Sequence, residues 1–156
     1  MQMVTLGSTG IQVVQNGFGA LPIQRDSKEV AVKIVRRAYE GGMRFFDTAR
    51  AYSDSEEKVG EALNDVRDNL YVATKTMAQT PEEFWGQLET SLQLLKTDYI
   101  DIYQFHCANQ VYAPGDGTGM YECMLEAKAQ GKIRHIGITA HKIQIAFDAV
   151  ESGLYE

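Results

Sequence analysis

The stretch RFFDTARAY, residues 44–52, begins as an apolar strand and ends on polar and ionisable side chains. A short apolar run of this kind is typical of a strand that is covered on both faces. The run stops at Asp47, and Tyr52 follows five residues later. In parallel α/β folds ligands bind at the carboxyl ends of the strands, because the loops there converge on one crevice. We therefore interpret Asp47 and Tyr52 as candidate site residues.

Similar apolar runs alternate with helical patterns along the rest of the chain. They are GFGALPI, NLYVATKT, DYIDIYQFH and IRHIGITAH. The strand–helix repeat has a step of roughly 30 residues, which is the size of a βαβ unit. It predicts a parallel sheet, either closed as a (β/α)8 TIM barrel or left open and flavodoxin-like. About five of the eight units of such a barrel are present.

Ahead of these units, MVTLGSTGIQVV predicts a β-hairpin. We expect the hairpin to occupy residues 1–15 and the β/α units to occupy residues 16–156. The 156 residues suffice for one core and are too few for two domains. The sequence therefore predicts a single partial barrel domain, with a hairpin that could cover one end of it.

Two helical segments carry clear end signals and apolar stripes. The first begins at a Ser27 cap and ends at Gly41, with Val30, Ile34 and Ala38 as its predicted buried stripe. The stripe predicted for TPEEFWGQLETSLQLLK consists of Phe84, Leu88, Leu92 and Leu95. These helices are expected to cover the sheet.

Composition narrows the classes of function. The formal net charge of -6 argues against nucleic acid and anionic membrane as main partners. No apolar run approaches the roughly 18 residues of a membrane span, and the N-terminus resembles no secretion signal. Cys107 and Cys123 lack metal-binding spacing, so we expect no metal site and two free thiols in a reducing cytoplasm.

Two further ionisable residues end strands in the same way as Asp47. Lys75 follows YVAT, and His106 follows IYQF. Singly, such residues are commonly turn formers, solvated charges or structural histidines. Together they occupy the same topological position in three successive units, which favours one shared site.

These residue types suit the reduction of a carbonyl group. An Asp47–Lys75 ion pair would hold an ammonium near Tyr52 and lower the pKa of the phenol from about 10. Tyr52 could then give a proton to a developing alkoxide, while His106 orients the carbonyl by a hydrogen bond. None of these groups supplies a hydride, so a nicotinamide cofactor is implied.

The motifs resemble those of the aldo-keto reductase family. LGSTGIQV resembles its LGxTGLxV, FFDTARAYSDSEEKVGEAL its FDTAxxYGxSExxLGxAL, and QGKIRHIGIT its GKIRxIGVS. YVATK and TDYIDIYQFH resemble its lysine and histidine strands, so the resemblance covers the chain end to end. It implies a (β/α)8 barrel that binds NADP(H) without a Rossmann domain. The implied catalytic tetrad is Asp47, Tyr52, Lys75 and His106, with Tyr52 as general acid.

The cofactor side departs from the family pattern. Where the family has Ser-Asn, this chain has Thr139 and Ala140, and His141 follows. His141 either substitutes for the missing amide or lies on a surface loop. The GITAH sequence resembles a branch that often carries a C-terminal iron–sulfur segment, whose ligands are absent from this sequence. The residues that we predict to bind the cofactor are Gly19, Ala20, Asp47, Thr139 and His141.

Two further features have alternative interpretations. GFGALP lacks the third glycine of a dinucleotide fingerprint, so Gly17 and Gly19 serve either close packing or backbone contact with the cofactor. Glu56 and Glu57 follow Tyr52 closely, and we interpret both as first-turn residues that suit the helix dipole.

Length raises the largest question, because a (β/α)8 barrel takes about 250 residues. Five open strands would expose edges that invite pairing. The sequence therefore fits a part of a longer protein, partial barrels joined from two chains, or a rearranged open sheet, and self-association through the edges is expected. The predicted function is NADPH-dependent reduction of small aldehydes or ketones, by a complete enzyme or its catalytic half. The alternative is a catalytically silent binding or regulatory module of the same fold.

Overall fold

A computed structural model describes residues 2–156 and contains seven strands. The strands are β1 Met3–Thr5, β2 Gln12–Val14, β3 Phe18–Gly19, β4 Phe45–Asp47, β5 Tyr71–Thr76, β6 Ile100–Phe105 and β7 Ile133–Ile138. Strands β3 to β7 form one parallel sheet in consecutive order. Consecutive order is that of a barrel, whereas a flavodoxin-like sheet reverses its strand order. The flavodoxin-like alternative is therefore wrong.

Five α-helices alternate with the parallel strands, as the repeat predicts. They are α1 Lys28–Glu40, α2 Ser55–Leu63, α3 Pro81–Leu95, α4 Met120–Ala129 and α5 Ile143–Ser152, with 3₁₀ turns at Pro22–Arg25 and Asn64–Asn69. The Ser27 cap is confirmed, because its hydroxyl accepts a hydrogen bond from the Val30 amide at 3.4 Å. None of the helices within residues 2–156 is both long and apolar enough to cross a bilayer.

Helix burial confirms one predicted stripe and corrects the other. All four apolar residues predicted for α3 are buried. In α1 the stripe prediction is wrong: Val30 and Ile34 are 46% and 41% exposed, whereas Ala31 and Val35 are fully buried. The reason is that α1 packs against α2. The face of α1 that this contact buries is displaced by one residue from the predicted stripe.

The alternation of side chains along the strands separates an inner face from a helix-covered face. Asp47 is in register with Ala73, and Lys75 with Gln104. Lys75 reaches Asp47 on the inner face, whereas the neighbouring Thr74 contacts α2 on the opposite face. The candidate site residues Asp47 and Lys75 therefore lie on the inner face, at the carboxyl ends of their strands.

The N-terminal hairpin, β1 with β2, is antiparallel as predicted. Its turn lines an inner-face cavity of about 480 Å³ together with sheet and C-terminal residues. Gly7 approaches the chain end so closely that a Cβ there would lie 2.9 Å from the Glu156 carbonyl carbon. The hairpin thus covers one end of the inner face.

At the free edge of β7, the Glu156 amide donates to the Ile136 carbonyl at 3.0 Å.

Candidate active site

An ion pair joins the ends of β4 and β5. Lys75 Nζ lies 2.6 Å from Asp47 Oδ1 and also donates to the Thr48 carbonyl at 2.7 Å. The Lys75 side chain is 6% exposed and that of Asp47 is 33% exposed. Burying an ammonium group is costly unless it is paired and hydrogen-bonded, and both conditions hold here.

Tyr52 and His106 lie beside this pair. Their ring centroids are 5.5 Å apart in an edge-to-face arrangement, and Lys75 Nζ is 5.2 Å from the Tyr52 ring centroid. All four predicted tetrad residues line one cleft of about 420 Å³. The structure therefore brings together residues from three strand ends and one loop, as the sequence predicts.

The pKa of Tyr52 differs from the expectation. Burial raises it above the ordinary value of 10, and the nearby Asp47 and Cys107 raise it further. The expected lowering by Lys75 is wrong for this structure because the ammonium donates to Asp47 and to the Thr48 carbonyl. Within residues 2–156 no hydrogen bond joins Lys75 Nζ to the Tyr52 hydroxyl. Tyr52 therefore holds its proton firmly at neutral pH.

His106 is disposed to remain neutral. Burial lowers its pKa from 6.5, the Lys75 ammonium lowers it further, and Asp47 partly opposes the shift. Its Nδ1 is buried and has no hydrogen-bond partner among residues 2–156. A neutral imidazole can donate a hydrogen bond to a carbonyl oxygen without carrying a full charge.

The loop that carries Tyr52 is bound to β5 by its backbone. The Thr48 amide donates to the Ala73 carbonyl at 2.8 Å, and the Arg50 amide donates to the Lys75 carbonyl at 3.0 Å. The chain thus continues to pair with β5 after β4 has ended. This pairing explains how a residue five positions beyond the strand returns to the cleft.

Glu56 corrects the interpretation of the acidic pair. Both glutamates lie in the first turn of α2, but Glu56 is fully buried and forms an ion pair with Arg50. Only Glu57 is exposed enough to act at the surface, where it binds Lys28 at 2.8 Å. Sequence reasoning missed the Arg50–Glu56 pair. The available signal was their spacing across Tyr52, an arginine two residues before it and a glutamate four residues after it.

Thr139 and His141 form the other wall of the cleft, at the end of β7. The Thr139 hydroxyl accepts from the Cys107 amide at 3.0 Å, so one of its two acceptor sites remains. His141 is exposed and its Nε2 lies 3.3 Å from Cys107 Sγ. Both residues are placed to contact a molecule in the cleft.

The glycines near β3 have separate roles. A Cβ at Gly17 would lie 2.9 Å from the Phe45 ring, so Gly17 is needed for close packing. A Cβ at Gly19 would meet nothing within 4 Å, so the backbone there is open to a ligand. The adjacent Ala20 is buried, and its amide donates to the Asp47 carbonyl at 2.8 Å.

The cleft fits one end of a nicotinamide dinucleotide. Its volume and its largely apolar lining, with polar groups on opposite walls, suit a flat amide-bearing ring and a small carbonyl compound. Phosphates need cationic or backbone N–H clusters. The lining contains a single lysine, already paired, and no arginine. Among residues 2–156 no cluster of three or more His, Cys, Asp or Glu side chains could hold a metal ion.

Consecutive β/α units with a charged cleft at the strand ends define a barrel enzyme fold. Residues 14–154 match the aldo/keto reductase family, and the chain belongs to this family. Its five units form a partial barrel that superimposes on part of the TIM barrels of solved aldo-keto reductases.

Individual relatives agree with this assignment. The chain is 32% identical to the aldo-keto reductase YhdN of Bacillus subtilis, covering 92% of this chain and 48% of that protein. It is 31% identical to the L-galactose dehydrogenase of Arabidopsis thaliana, covering 93% and 50%. The holo form of aldo-keto reductase AKR11C1 from Bacillus halodurans superimposes with a TM-score of 0.85 at 28% identity, covering 97% and 54%. The chain thus spans about half the length of the curated relatives that it matches.

Proposed function

We propose that the natural protein is an NADPH-dependent oxidoreductase that reduces small aldehydes or ketones to alcohols. The observation that carries the proposal is the convergence of Asp47, Lys75, Tyr52 and His106 on one cleft. Two relatives support it. The methylglyoxal reductase DkgB of Salmonella typhi is 34% identical over 142 residues, and an aldo/keto reductase from Klebsiella pneumoniae, 27% identical with a TM-score of 0.76, was solved in complex with NADP.

Each tetrad residue has a separate role in this proposal. The Tyr52 hydroxyl gives its proton to the carbonyl oxygen as negative charge develops there. His106 donates a hydrogen bond to the same oxygen and orients the carbonyl. Lys75, neutralised in part by Asp47, stabilises the phenolate that remains after the proton has moved. The raised pKa of Tyr52 keeps the donor protonated, and an alkoxide is basic enough to remove that proton.

The cofactor supplies the hydride when it is bound. We propose that Gly19, Asp47, Thr139 and His141 hold its nicotinamide end, and that buried Ala20 fixes the Gly19 backbone through its amide hydrogen bond to the Asp47 carbonyl. Gly19 offers open backbone, and the Thr139 hydroxyl has acceptor capacity for a carboxamide N–H. The His141 ring lies at the rim, where it covers one side of the cleft.

The test is an assay of the natural protein at its full length with NADPH and a reactive aromatic aldehyde. We expect equal amounts of NADPH consumed and alcohol formed, and no NADPH consumption without aldehyde. Absence of alcohol formation from any aldehyde tested would favour the second candidate, a silent binding or regulatory module.

The second candidate is favoured by the absence of a phosphate clamp in the cleft lining. For residues 1–156 on their own we therefore predict very weak NADPH affinity. Isothermal titration calorimetry checks this, with NADH as the control for the 2'-phosphate. Saturable low-micromolar binding of NADPH would contradict the prediction.

We further propose that residues 1–156 act as one partial-barrel domain that self-associates through the β3 and β7 edges. Sedimentation velocity of residues 1–156 over a range of concentrations tests the association, and a monomer throughout would contradict it. A cytoplasmic location is proposed because Cys107 and Cys123 are both free thiols.

A further inference from the structure

We infer that Arg50 and Glu56 are positioning residues that hold the Tyr52 ring beside Lys75; this inference rests on the proposed reductase function. Neither side chain lines the cleft. They flank Tyr52 in the sequence and form an ion pair behind it. Their effect on the reaction therefore acts through Tyr52 and not through contact with a substrate.

Glu56 connects α2 with the strand that carries Lys75. Its side chain is fully buried, and its two oxygens have different partners. Oε1 accepts from the Thr74 hydroxyl at 2.6 Å, and Oε2 forms the ion pair with Arg50. Burying a carboxylate is costly unless both of its oxygens are paired in this way. Glu56 is thus fixed to β5 on one side and to the Tyr52 loop on the other.

Arg50 completes the connection from the loop side. Its Nη2 donates to the Ser53 carbonyl at 3.0 Å, and its backbone amide donates to the Lys75 carbonyl at 3.0 Å. Ser53 has a φ of 43°, a left-handed conformation that a serine keeps only when its surroundings enforce it. The Arg50 guanidinium holds this carbonyl, so the backbone is fixed on both sides of Tyr52.

These contacts place the proton donor relative to the ammonium. Thr74 and Lys75 are consecutive in β5, and their side chains leave opposite faces of the sheet. Glu56 therefore holds the back of the strand whose front carries Lys75, 5.2 Å from the Tyr52 ring centroid. A shift in the Arg50–Glu56 pair changes the position of Tyr52 relative to Lys75.

A purely structural role is the alternative, and the chain provides a matched control for it. Arg67 and Asp101 form another buried ion pair, with Nη2 2.6 Å from Oδ2. Asp101 also accepts from the Val72 amide at 2.9 Å, near the amino end of β5. This second pair stabilises the same sheet at the end away from the cleft, so its loss lowers stability without moving Tyr52.

The experiment is a double-mutant cycle in the natural protein at its full length. We expect Arg50→Met to lower kcat by about tenfold to a hundredfold, because a displacement of about 1 Å has effects of this size. The affinity for NADPH should stay within about twofold of the wild type. In a Tyr52→Phe background the same change should lower kcat by less than about twofold, because coupled residues are non-additive.

The controls separate positioning from folding. Arg67→Met should lower Tm and have the same small effect on kcat in both backgrounds. Arg50→Lys should restore part of the rate, because it keeps a positive charge beside Glu56 but lacks the second donor for the Ser53 carbonyl. An equal loss of kcat from Arg50→Met with and without the Tyr52 hydroxyl would overturn the inference.

A second variant and a second readout keep the inference testable if Arg50→Met does not fold or if no turnover is found. Glu56→Gln preserves the volume and the acceptor for Thr74 while removing the charge. With tyrosines labelled at Cζ and Tyr52 assigned through Tyr52→Phe, we expect Glu56→Gln to move the Tyr52 carbon resonance at neutral pH. Arg67→Met should leave it in place. An unmoved resonance in Glu56→Gln overturns the inference, whereas absence of reductase activity in the wild type overturns only the proposed function.

Discussion

The two walls of the cleft differ in how completely this chain builds them. On the wall formed by β4, β5 and β6, the Lys75 ammonium is buried and has two partners. Behind this wall, the buried Glu56 carboxylate likewise has two partners. On the wall at the end of β7, His141 is exposed, and the following helix α5 buries only Ala149. Two apolar side chains of α5 are open to solvent, with Phe147 at 58% exposure and Val150 at 80%.

Under the proposed function, proton donation and cofactor binding therefore depend on different parts of the chain. Contacts between neighbouring β/α units are enough to assemble the proton-donating wall. The other wall lies at the end of β7, which is an edge strand and pairs with only one strand, β6, within residues 2–156. Mutations on the two walls should therefore have unequal effects.

Between the two walls, the largest difference is expected for Lys75→Met and His141→Gln in the natural protein at its full length. Lys75→Met removes the cation beside Tyr52 and leaves Asp47 without its partner, so kcat should fall about 10²- to 10³-fold. His141→Gln removes an exposed ring and should lower kcat by less than about tenfold. Steady-state kinetics on one aldehyde compares the kcat values of the two variants. Equal losses would show that the β7 wall shares in the chemistry.

Mutations in the buried helix α3 and in the exposed helix α5 should also differ in their effect on the stability of residues 1–156. Leu88 is fully buried in α3, so Leu88→Ala should lower the free energy of unfolding by about 2–5 kcal/mol. Phe147 on α5 is largely exposed, so Phe147→Ser should change it by no more than about 0.5 kcal/mol. Urea unfolding followed by circular dichroism measures both. A large loss from Phe147→Ser would mean that α5 is covered in solution, for example by a second copy.

The smallest effect concerns the titration of His106. Its pKa lies below 6.5 in the folded protein, so between that pKa and 6.5 the unfolded chain binds more protons. The free energy of unfolding should therefore decrease as pH falls from 7 through this range, and His106→Gln should reduce the decrease. Lys75→Met should raise the His106 pKa, as seen in an NMR titration of its ring protons. A pKa above 6.5 in the wild type would contradict the account.

The features that sequence could predict depend on local or repeated patterns. The α3 stripe from Phe84 to Leu95 follows helical periodicity, and the Thr80 hydroxyl caps the first turn of that helix. The parallel order follows from the repeat of strand and helix, and it brings Asp47, Lys75 and His106 to one end of the sheet.

The features that sequence could not predict depend on which of several neighbours a side chain meets. Val30 and Ala31 differ by one position on α1, and only the contact with α2 decides which is buried. Burial of the Tyr52 phenol raises its pKa, and Asp47 and Cys107 raise it further, while the Lys75 ammonium is bound to Asp47 and the Thr48 carbonyl. Which neighbours surround the phenol could not be read from the sequence. In the sequence Glu56 looks like an ordinary surface residue of a helix, and only the structure shows that it is buried against Thr74 and Arg50.

The most direct test of the central claim compares Tyr52→Phe with Tyr99→Phe in the natural protein at its full length. Each change removes one phenolic hydroxyl, and the Tyr99 hydroxyl lies away from the cleft, where it donates to Asp68 at 3.3 Å. We predict that Tyr52→Phe lowers the kcat for NADPH-dependent aldehyde reduction by about 10²- to 10⁴-fold with NADPH affinity retained, and that Tyr99→Phe leaves kcat unchanged. A Tyr52→Phe variant that reduces aldehydes at the wild-type rate would contradict the assignment of Tyr52 as the proton donor.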